Sequence, residues 1–564
     1  MTWGKRRAIV IIVVILFFVG VFWVGWKSAR LQSKSVLVID AQGEIEEQRP
    51  FNLVDSLFGQ TTPVLQDYLD AIDSARTDSH ITGLVVRIAP LDTGWAKLEE
   101  IRTHLIEFQK SGKPSICYLG YDGITNHEYY LASACQQVWL MPTAPVDITG
   151  MMAEATFYRG TLDKLKIVPE FYHTGQYKTY GNAYTEKKFT PADREQVQSL
   201  VSSIYDQYAG DAALARHMDR AKFEDLLSRG PFLPGEAVQS GIADRLAYWD
   251  QVQDFFKGRD RVWNPVPLER YMTFVDRDGF GGGKIAVVHA TGMIVSGKSG
   301  DSPGEGFLMG GDSVAADLRA AREDPDVKAI VLRVDSGGGS VVGSEAIRRE
   351  VLLAKAAKPV VISMSDVAAS GGYWISAQAS KIVAEPNTIT GSIGVVIGKV
   401  NVSGLYDLLG LSTDRVTTSD NATLFSLQQN FTPEQRAFIE HSILEMYGEF
   451  KQNVAEGRGM TPEAVDTIGQ GRVWSGAQAK KLGLVDELGG FDRAIEVAKQ
   501  LAGIPAGSEV RIVRFPKEKG LIEELLEHDT EGANESHSLD AMIRRLAGAM
   551  EPVEARIPFE LHIH

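Results

Sequence analysis

Two cysteines in 564 residues, Cys117 and Cys135, are too few for a disulfide framework. Cys117 falls in the apolar run Ser115-Ile116-Cys117-Tyr118-Leu119, which reads as a strand, so a buried free thiol is the expectation there, although an oxidising compartment would permit a bridge to Cys135. Metal-ligand spacing of the Cys-x-x-Cys or His-Glu-x-x-His kind is missing, so no metal is expected. Positive charge is also short: the formal net charge of −15 offers no basic face and excludes a nucleic-acid partner. No cofactor fingerprint is present. The glycine cluster Asp335-Ser336-Gly337-Gly338-Gly339-Ser340 lacks the Gly-Lys-Ser/Thr of a phosphate loop and the spacing of a dinucleotide turn.

Long hydrophobic runs are lacking except at one place. Ala8 to Trp26 carries no charge, and nineteen residues at 1.5 Å rise span about 28 Å, close to the roughly 30 Å hydrocarbon core of a bilayer. Lys5, Arg6 and Arg7 precede it, favouring a cytoplasmic N-terminus, although Lys27 and Arg30 reduce the asymmetry. A cleaved signal peptide fits poorly, because Val24-Gly25-Trp26 is not a small-x-small site. The expected order is therefore a cytoplasmic stub (1–7), an uncleaved transmembrane anchor (8–26) and a body on the far side. In a Gram-negative cell that is an inner-membrane protein with a periplasmic body.

What is abundant is self-similarity. Val36–Asp40 resembles Ile285–His289, Gly83–Arg87 resembles Ala329–Arg333, Tyr129–Ala134 resembles Tyr373–Gln378, and Phe189-Thr190-Pro191 matches Phe431-Thr432-Pro433. An offset that stays within a few residues over separated blocks marks a duplicated domain. The first unit is read as 35–277 and the second as 283–503, joined at the glycine-rich Gly279–Gly283. The tail, 504–564, lies outside the repeat and is expected to be partly ordered, with a helix around Leu521 to Leu526.

Inside the second unit, Lys328–Val334, Pro359–Met364 and Ile382–Ala384 read as buried strands. Ser344–Ala356 reads as a helix and Asp366–Ala379 as a turn and helix. Such alternation predicts an α/β fold with a largely parallel sheet. Thr432–Gly457 reads as a long amphipathic helix opened by a Thr-Pro pair.

Ser370 stands after small residues and before Gly371-Gly372, a position that places its hydroxyl at a helix start. Free N–H groups there can hold an oxyanion, and the serine reads equally well as an N-cap. Gly338 and Gly339 at the end of a buried strand can present further backbone donors, or form a tight crossover. None of the eleven histidines is an evident partner for the serine; His289 falls in a strand and His173 near Lys178. A lysine made neutral by burial is the alternative base.

The repeat discriminates between these readings. Asn126-His127-Glu128 occupies the first unit's equivalent of Ser370-Gly371-Gly372, and Gly175-Gln176-Tyr177-Lys178 faces Ser419–Ala422 of the second. One half keeps a serine and the other a lysine, which a single composite site explains and helix capping does not.

Ala369-Ser370-Gly371-Gly372-Tyr373-Trp374, Thr390-Gly391-Ser392-Ile393-Gly394 and Tyr177-Lys178 together resemble the signal peptide peptidase A (protease IV) family in its long bacterial form. The resemblance runs from the anchor to about Gly503. It implies tandem crotonase-like domains related to the caseinolytic protease, a homotetramer forming a bowl on the membrane, and cleaved signal peptides as substrates. It also implies Ser370 as nucleophile, Lys178 as general base and Ser392 as the residue orienting the lysine amine. Gly338, Gly339 and Gly371 are the expected backbone donors; Gly337 stands where the family usually carries proline. Two other readings remain at this stage, an acyl-CoA-handling enzyme on the same fold and a catalytically silent membrane scaffold.

Overall fold

The computed structural model describes residues 31–49, 62–257, 262–275, 283–302, 306–515, 554–555 and 562–563. The expected anchor at 8–26, most of the Gly279–Gly283 joint and the expected helix at Leu521–Leu526 lie outside the described residues. Among the described residues no helix is long and apolar enough to cross a membrane.

The first unit is built on β1 (Ser35–Gly43), β2 (Ile81–Leu91), β3 (Ser115–Leu119) and β4 (Gln137–Leu140), interleaved with α1 (Leu65–Thr77), α2 (Trp95–Gln109) and α3 (Asn126–Ala132). Its sheet runs Arg245–Leu246, β4, β3, β2, β1, Pro265–Pro267, parallel throughout. Leu84 and Val85 point to opposite faces of β2 and both are fully buried, which is why the run shows no polar alternation. From the same unit come β5 (Val168–His173) and the long helix α4 (Pro191–Ala215).

The second unit repeats the plan. Its strands are β6 (Lys284–Thr291), β7 (Val327–Ser336), β8 (Val360–Ala369), β9 (Lys381–Ala384), β10 (Ile389–Gly391), β11 (Val396–Asn401), β12 (Val473–Ser475) and β13 (Arg511–Phe515). Its helices include α5 (Gly311–Glu323), α6 (Val341–Ala357), α7 (Gly371–Ser376), α8 (Pro433–Arg458) and α9 (Phe491–Leu501). The sheet order is β12-β10-β8-β7-β6-β13, with β9 also on β8. β13 flanks β6 as Pro265–Pro267 flanks β1, so the second sheet takes in a strand beyond Gly503.

Matching hydrogen bonds recur in the two units. Tyr129 donates to the Ile242 carbonyl at 3.0 Å and Tyr373 to the Leu484 carbonyl at 2.9 Å. Arg216 pairs with Asp244 as Arg458 pairs with Asp486, and each aspartate accepts from a strand N–H, that of Val138 or Ile382. Both long helices begin with proline after a threonine cap, Thr190 on α4 and Thr432 on α8.

Two expectations are corrected. Cys117 and Cys135 are joined in a disulfide, not free; folding brings the end of α3 back beside β3, with the two Cα atoms 5.6 Å apart. The turn expected from Asp366 is strand as far as Ala369, because the small residues Val367–Ala369 leave β9 and pair with β10 instead.

The halves are locked by buried charge. Glu47 and Glu100 of the first unit close on Arg333 of β7, with nearest approaches of 2.7 Å, and Lys97 of α2 lies 3.0 Å from Asp335. Burial pushes the Glu47 carboxyl up, but Arg333 outweighs it and holds the group at about 2. Burial dominates at Glu100, whose carboxyl is raised.

Candidate active site

The seam between the units carries the chemistry. β5 of the first unit pairs antiparallel with β11 of the second, Val168↔Asn401 through His173↔Val396. The chain leaving β5 is therefore held against the second unit: Thr174 donates to the Val395 carbonyl and Tyr177 to the Gln470 carbonyl. Gln196 of α4 donates to the Tyr177 carbonyl from below. These contacts deliver Lys178 across the seam.

Ser370 stands between β8 and α7 with φ 56° and ψ −112°, a conformation that costs a non-glycine residue roughly 1–3 kcal/mol. Its N–H donates to the Gly391 carbonyl and its C=O accepts from Trp374, so both backbone groups are tied and the hydroxyl is aimed away from the helix. That hydroxyl makes no capping bond, which removes the N-cap reading. It lies 2.6 Å from Lys178 Nζ.

Lys178 Nζ also lies 3.0 Å from Ser392 Oγ and 3.1 Å from the Ser392 carbonyl. Lys178, Ser370 and Ser392 are all fully buried. Desolvation alone drives the lysine amine well below its ordinary range. A neutral amine has two N–H donors and one lone pair, and the three neighbours match that count. Ser392 can accept twice, which turns the lone pair toward the Ser370 O–H. Ser392, at φ 51°, is itself fixed by donating its N–H to the Arg472 carbonyl at 2.7 Å.

The glycine loop lies on the other side of Ser370. Gly338 and Gly339 take φ +105° and +144°. A Cβ on Gly371 would stand 3.1 Å from Gly338 Cα, and one on Gly372 would stand 2.5 Å from the Ser336 carbonyl oxygen. The start of α7 and the loop after β7 therefore meet backbone to backbone. Ser336 braces the loop, donating to the Gly292 carbonyl at 2.6 Å and accepting from the Gly338 N–H at 3.2 Å. Gly338 thus lies against Gly371, the residue that follows Ser370, with the Gly338 N–H engaged by the Ser336 side chain.

Other residues of the site were not legible in sequence. Gly471 and Gly394 press on the lysine stem, and Arg472 stacks on Tyr177 while paired with Glu195 at 2.7 Å. Gly394 and Tyr177 lie in motifs already quoted, but their contacts were hidden, and no motif marks Gly471, Arg472 or Glu195, because each acts through a chain segment about 200 to 300 residues away. Among the described residues no histidine hydrogen-bonds Ser370 or Lys178. His289 is half-buried in β6, where desolvation lowers it to about 4, and His173 is exposed beside the Gly175 carbonyl.

Asp73, His104 and Asp492 are close enough together to suggest a cation site. Both ring nitrogens already face carboxylates, however, Nδ1 at 3.1 Å from Asp73 and Nε2 at 3.6 Å from Asp492. Burial lowers the imidazole but the carboxylates outweigh it and raise it. The cluster is an ion-pair bridge between α1, α2 and α9.

Comparison with known proteins is consistent with this geometry. The chain matches the family described as Peptidase family S49 twice, over residues 107–261 and 353–505. It is 35% identical to "Protease 4" of Salmonella typhi over 89% of this chain and 85% of that protein. It is 32% identical to "Serine protease SPPA, chloroplastic" of Arabidopsis thaliana over 88% of this chain and 73% of that protein. Among solved structures, a ClpP1 mutant of Listeria monocytogenes aligns with 37% of this chain and 94% of its own at 16% identity and a TM-score of 0.25.

Proposed function

As a member of peptidase family S49, the family to which this chain belongs, the protein is a serine peptidase, and we propose that Ser370 and Lys178 are its reacting pair. The observation that carries the assignment is the 2.6 Å approach of a fully buried lysine amine, lowered well below its ordinary range by desolvation, to a hydroxyl held at a strained strand-to-helix turn.

The reaction follows from that geometry. Lys178 takes the Ser370 proton as the oxygen attacks a peptide carbonyl, and Ser392 keeps the amine's lone pair on line. With the Gly338 N–H engaged by Ser336, the N–H groups of Gly339 and Gly371 are assigned to the developing oxyanion. The protonated amine then gives its proton to the leaving nitrogen, and water hydrolyses the acyl-enzyme with Lys178 again as base.

The substrate reading is cleaved signal peptides, apolar and extended, and it rests on the resemblance to signal peptide peptidase A. The same resemblance supports crotonase-type tandem units, a homotetramer and a periplasmic body. The uncharged run Ala8–Trp26 supports an inner-membrane anchor. Retention of the full chain in carbonate-washed membranes tests the anchor, and release into the supernatant would remove it. No carboxylate hydrogen-bonds or pairs with Lys178 among the described residues, an arrangement that favours acyl transfer over the carboxylate-assisted enolate chemistry of an acyl-CoA enzyme. Replacing Ser370 with Ala tests the assignment: hydrolysis of an apolar peptide should fall by at least 1,000-fold, in line with loss of a nucleophile. Activity within tenfold of the parent would place the nucleophile elsewhere.

A further inference from the structure

Lys97 of α2, like Lys178, enters the second unit from the first. It is buried, with Nζ 3.0 Å from a carboxylate oxygen of Asp335 and 3.5 Å from one of Asp366. Burial lowers its amine, but Asp335, Asp366 and Glu47 outweigh burial and raise it above the ordinary lysine range. Lys97 is therefore a fixed cation, whereas the Lys178 amine is lowered by desolvation.

The two aspartates sit where β7 and β8 lose step. The strands pair from Ile330↔Val360 to Val334↔Met364 and resume at Ser336↔Ala368. Asp335 alone thus stands opposite Ser365, Asp366 and Val367, a bulge in β8 that ends shortly before Ser370. A bulge bends its strand and re-aims the residues that follow it. Side chains tie this one in place. The Val367 N–H donates to Asp335 at 3.1 Å, and the Thr388 hydroxyl donates to the Ser365 carbonyl at 2.8 Å. The first unit supplies the rest: the Ser365 hydroxyl donates to Glu47, and the Lys97 N–H donates to Asp366 at 3.0 Å. That last bond caps α2, whose own N-cap, Gly94, has no side chain; a Cβ on Gly94 would run into the Asp366 carboxylate.

Asp335 stands at the root of the glycine loop. Its carbonyl accepts from Gly292, and Ser336 beside it holds the Gly338 N–H. Lys97 accordingly grips the loop at Asp335 and the approach to the nucleophile at Asp366. Without a cation between them the two carboxylates would repel and spread the loop from the bulge.

We propose that Lys97 is a positioning residue of the peptidase, which fixes the spacing between Ser370 and the glycine loop packed against Gly371. The inference rests on Ser370 and Lys178 being the reacting pair. The fold itself does not demand a lysine there. α2 and α6 start at matching places in the two units, and their third residues are Lys97 and Gly343. Docking of the units is thereby coupled to catalysis twice, by delivery of the base and by the shape of the cradle.

The test is made in the full-length protein. Lys97→Met should lower kcat for an apolar peptide by about 100-fold, as a shift of about 1 Å in a reacting group does, while KM stays within about twofold. The pH at which kcat/KM reaches half its plateau should not move, because Lys178 is untouched. Asp366→Asn keeps an acceptor for the Lys97 N–H, so the displacement is smaller and kcat should fall by about tenfold at unchanged KM. That variant decides the matter if Lys97→Met does not fold. In the double variant the two losses should not multiply, since both act through one contact. Parental kcat in either folded single variant, a displaced pH midpoint, multiplying losses, or losses that track the folded fraction would overturn the proposal. Ser370→Ala separates the two ideas: it is inactive if the dyad reading holds, whatever Lys97 does, and active if that reading fails.

Discussion

Gly471 rests its backbone against Lys178 so closely that a Cβ at position 471 would lie 2.4 Å from the lysine's own Cβ. Gly471 also has φ +81°, which disfavours any side chain there. It belongs to the second unit, whereas Lys178 belongs to the first. The proposed general base is therefore seated by the opposite domain, and the fit of the two domains determines where its amine lies.

Gly471→Ala should accordingly displace Lys178 without dissolving the fold. A shift of about 1 Å in a reacting group costs on the order of 100-fold in rate. We expect kcat to fall by roughly that factor while KM and the thermal transition change little. Equal loss of activity and of folded protein would show that the glycine serves packing alone.

The buried amine sets the pH dependence. Only neutral Lys178 can accept the Ser370 proton, and desolvation lowers its pKa well below the ordinary lysine range. Measured kcat/KM should therefore rise with pH along one limb whose midpoint lies well below 10. It should then stay level through the range in which a free lysine would still be charged. A limb centred at the ordinary lysine value would contradict a buried base.

The same shift governs stability, with a determined sign. Between the lowered folded value and about 10.4 in the unfolded chain, the unfolded state binds a proton that the folded state does not. Stability of the parent thus rises with pH across that window, by up to about 1.4 kcal/mol per unit. Lys178→Met removes the term. The variant should be more stable than the parent near pH 7, and the gap should close toward pH 10. A variant less stable at pH 7 would mean the lysine is held charged.

Arg333 is the cation on which two first-unit carboxylates converge, and breaking such a buried set costs about 3–5 kcal/mol. Arg333→Met should destabilise the protein by that amount at neutral pH, read from urea unfolding. Glu47, held at about 2 against burial, stabilises the fold above the unfolded carboxylate range. That contribution is lost as pH falls toward 2, so the difference between parent and variant should shrink in acid. A difference independent of pH would assign the loss to packing.

Much of this arrangement was legible in the sequence because duplication supplies an internal control. Asn126 at the position of Ser370, and Ser419–Ala422 where the first unit has Gly175–Lys178, expose the division of labour from the sequence alone. The buried strands were legible from their unbroken apolar runs. What stayed hidden depends on long-range approach. The disulfide requires knowing that the chain after α3 returns to β3, the Arg333 cluster requires the docking of two units, and the pairing of Glu554–Ala555 with Gly339–Ser340 joins segments more than 200 residues apart. The strand reaching Ala369 was missed because its last residues are small and look like a turn when read alone.

The central claim is that a lysine from one domain activates a serine from the other. Intact-mass measurement of the full-length protein after exposure to a serine-directed fluorophosphonate tests it most directly, with the modified peptide identified by fragmentation. The account predicts one adduct per chain, located on Ser370, in the parent, and labelling slowed by at least 1,000-fold in folded Lys178→Met. An adduct on another serine, or equal labelling rates in parent and variant, would contradict it.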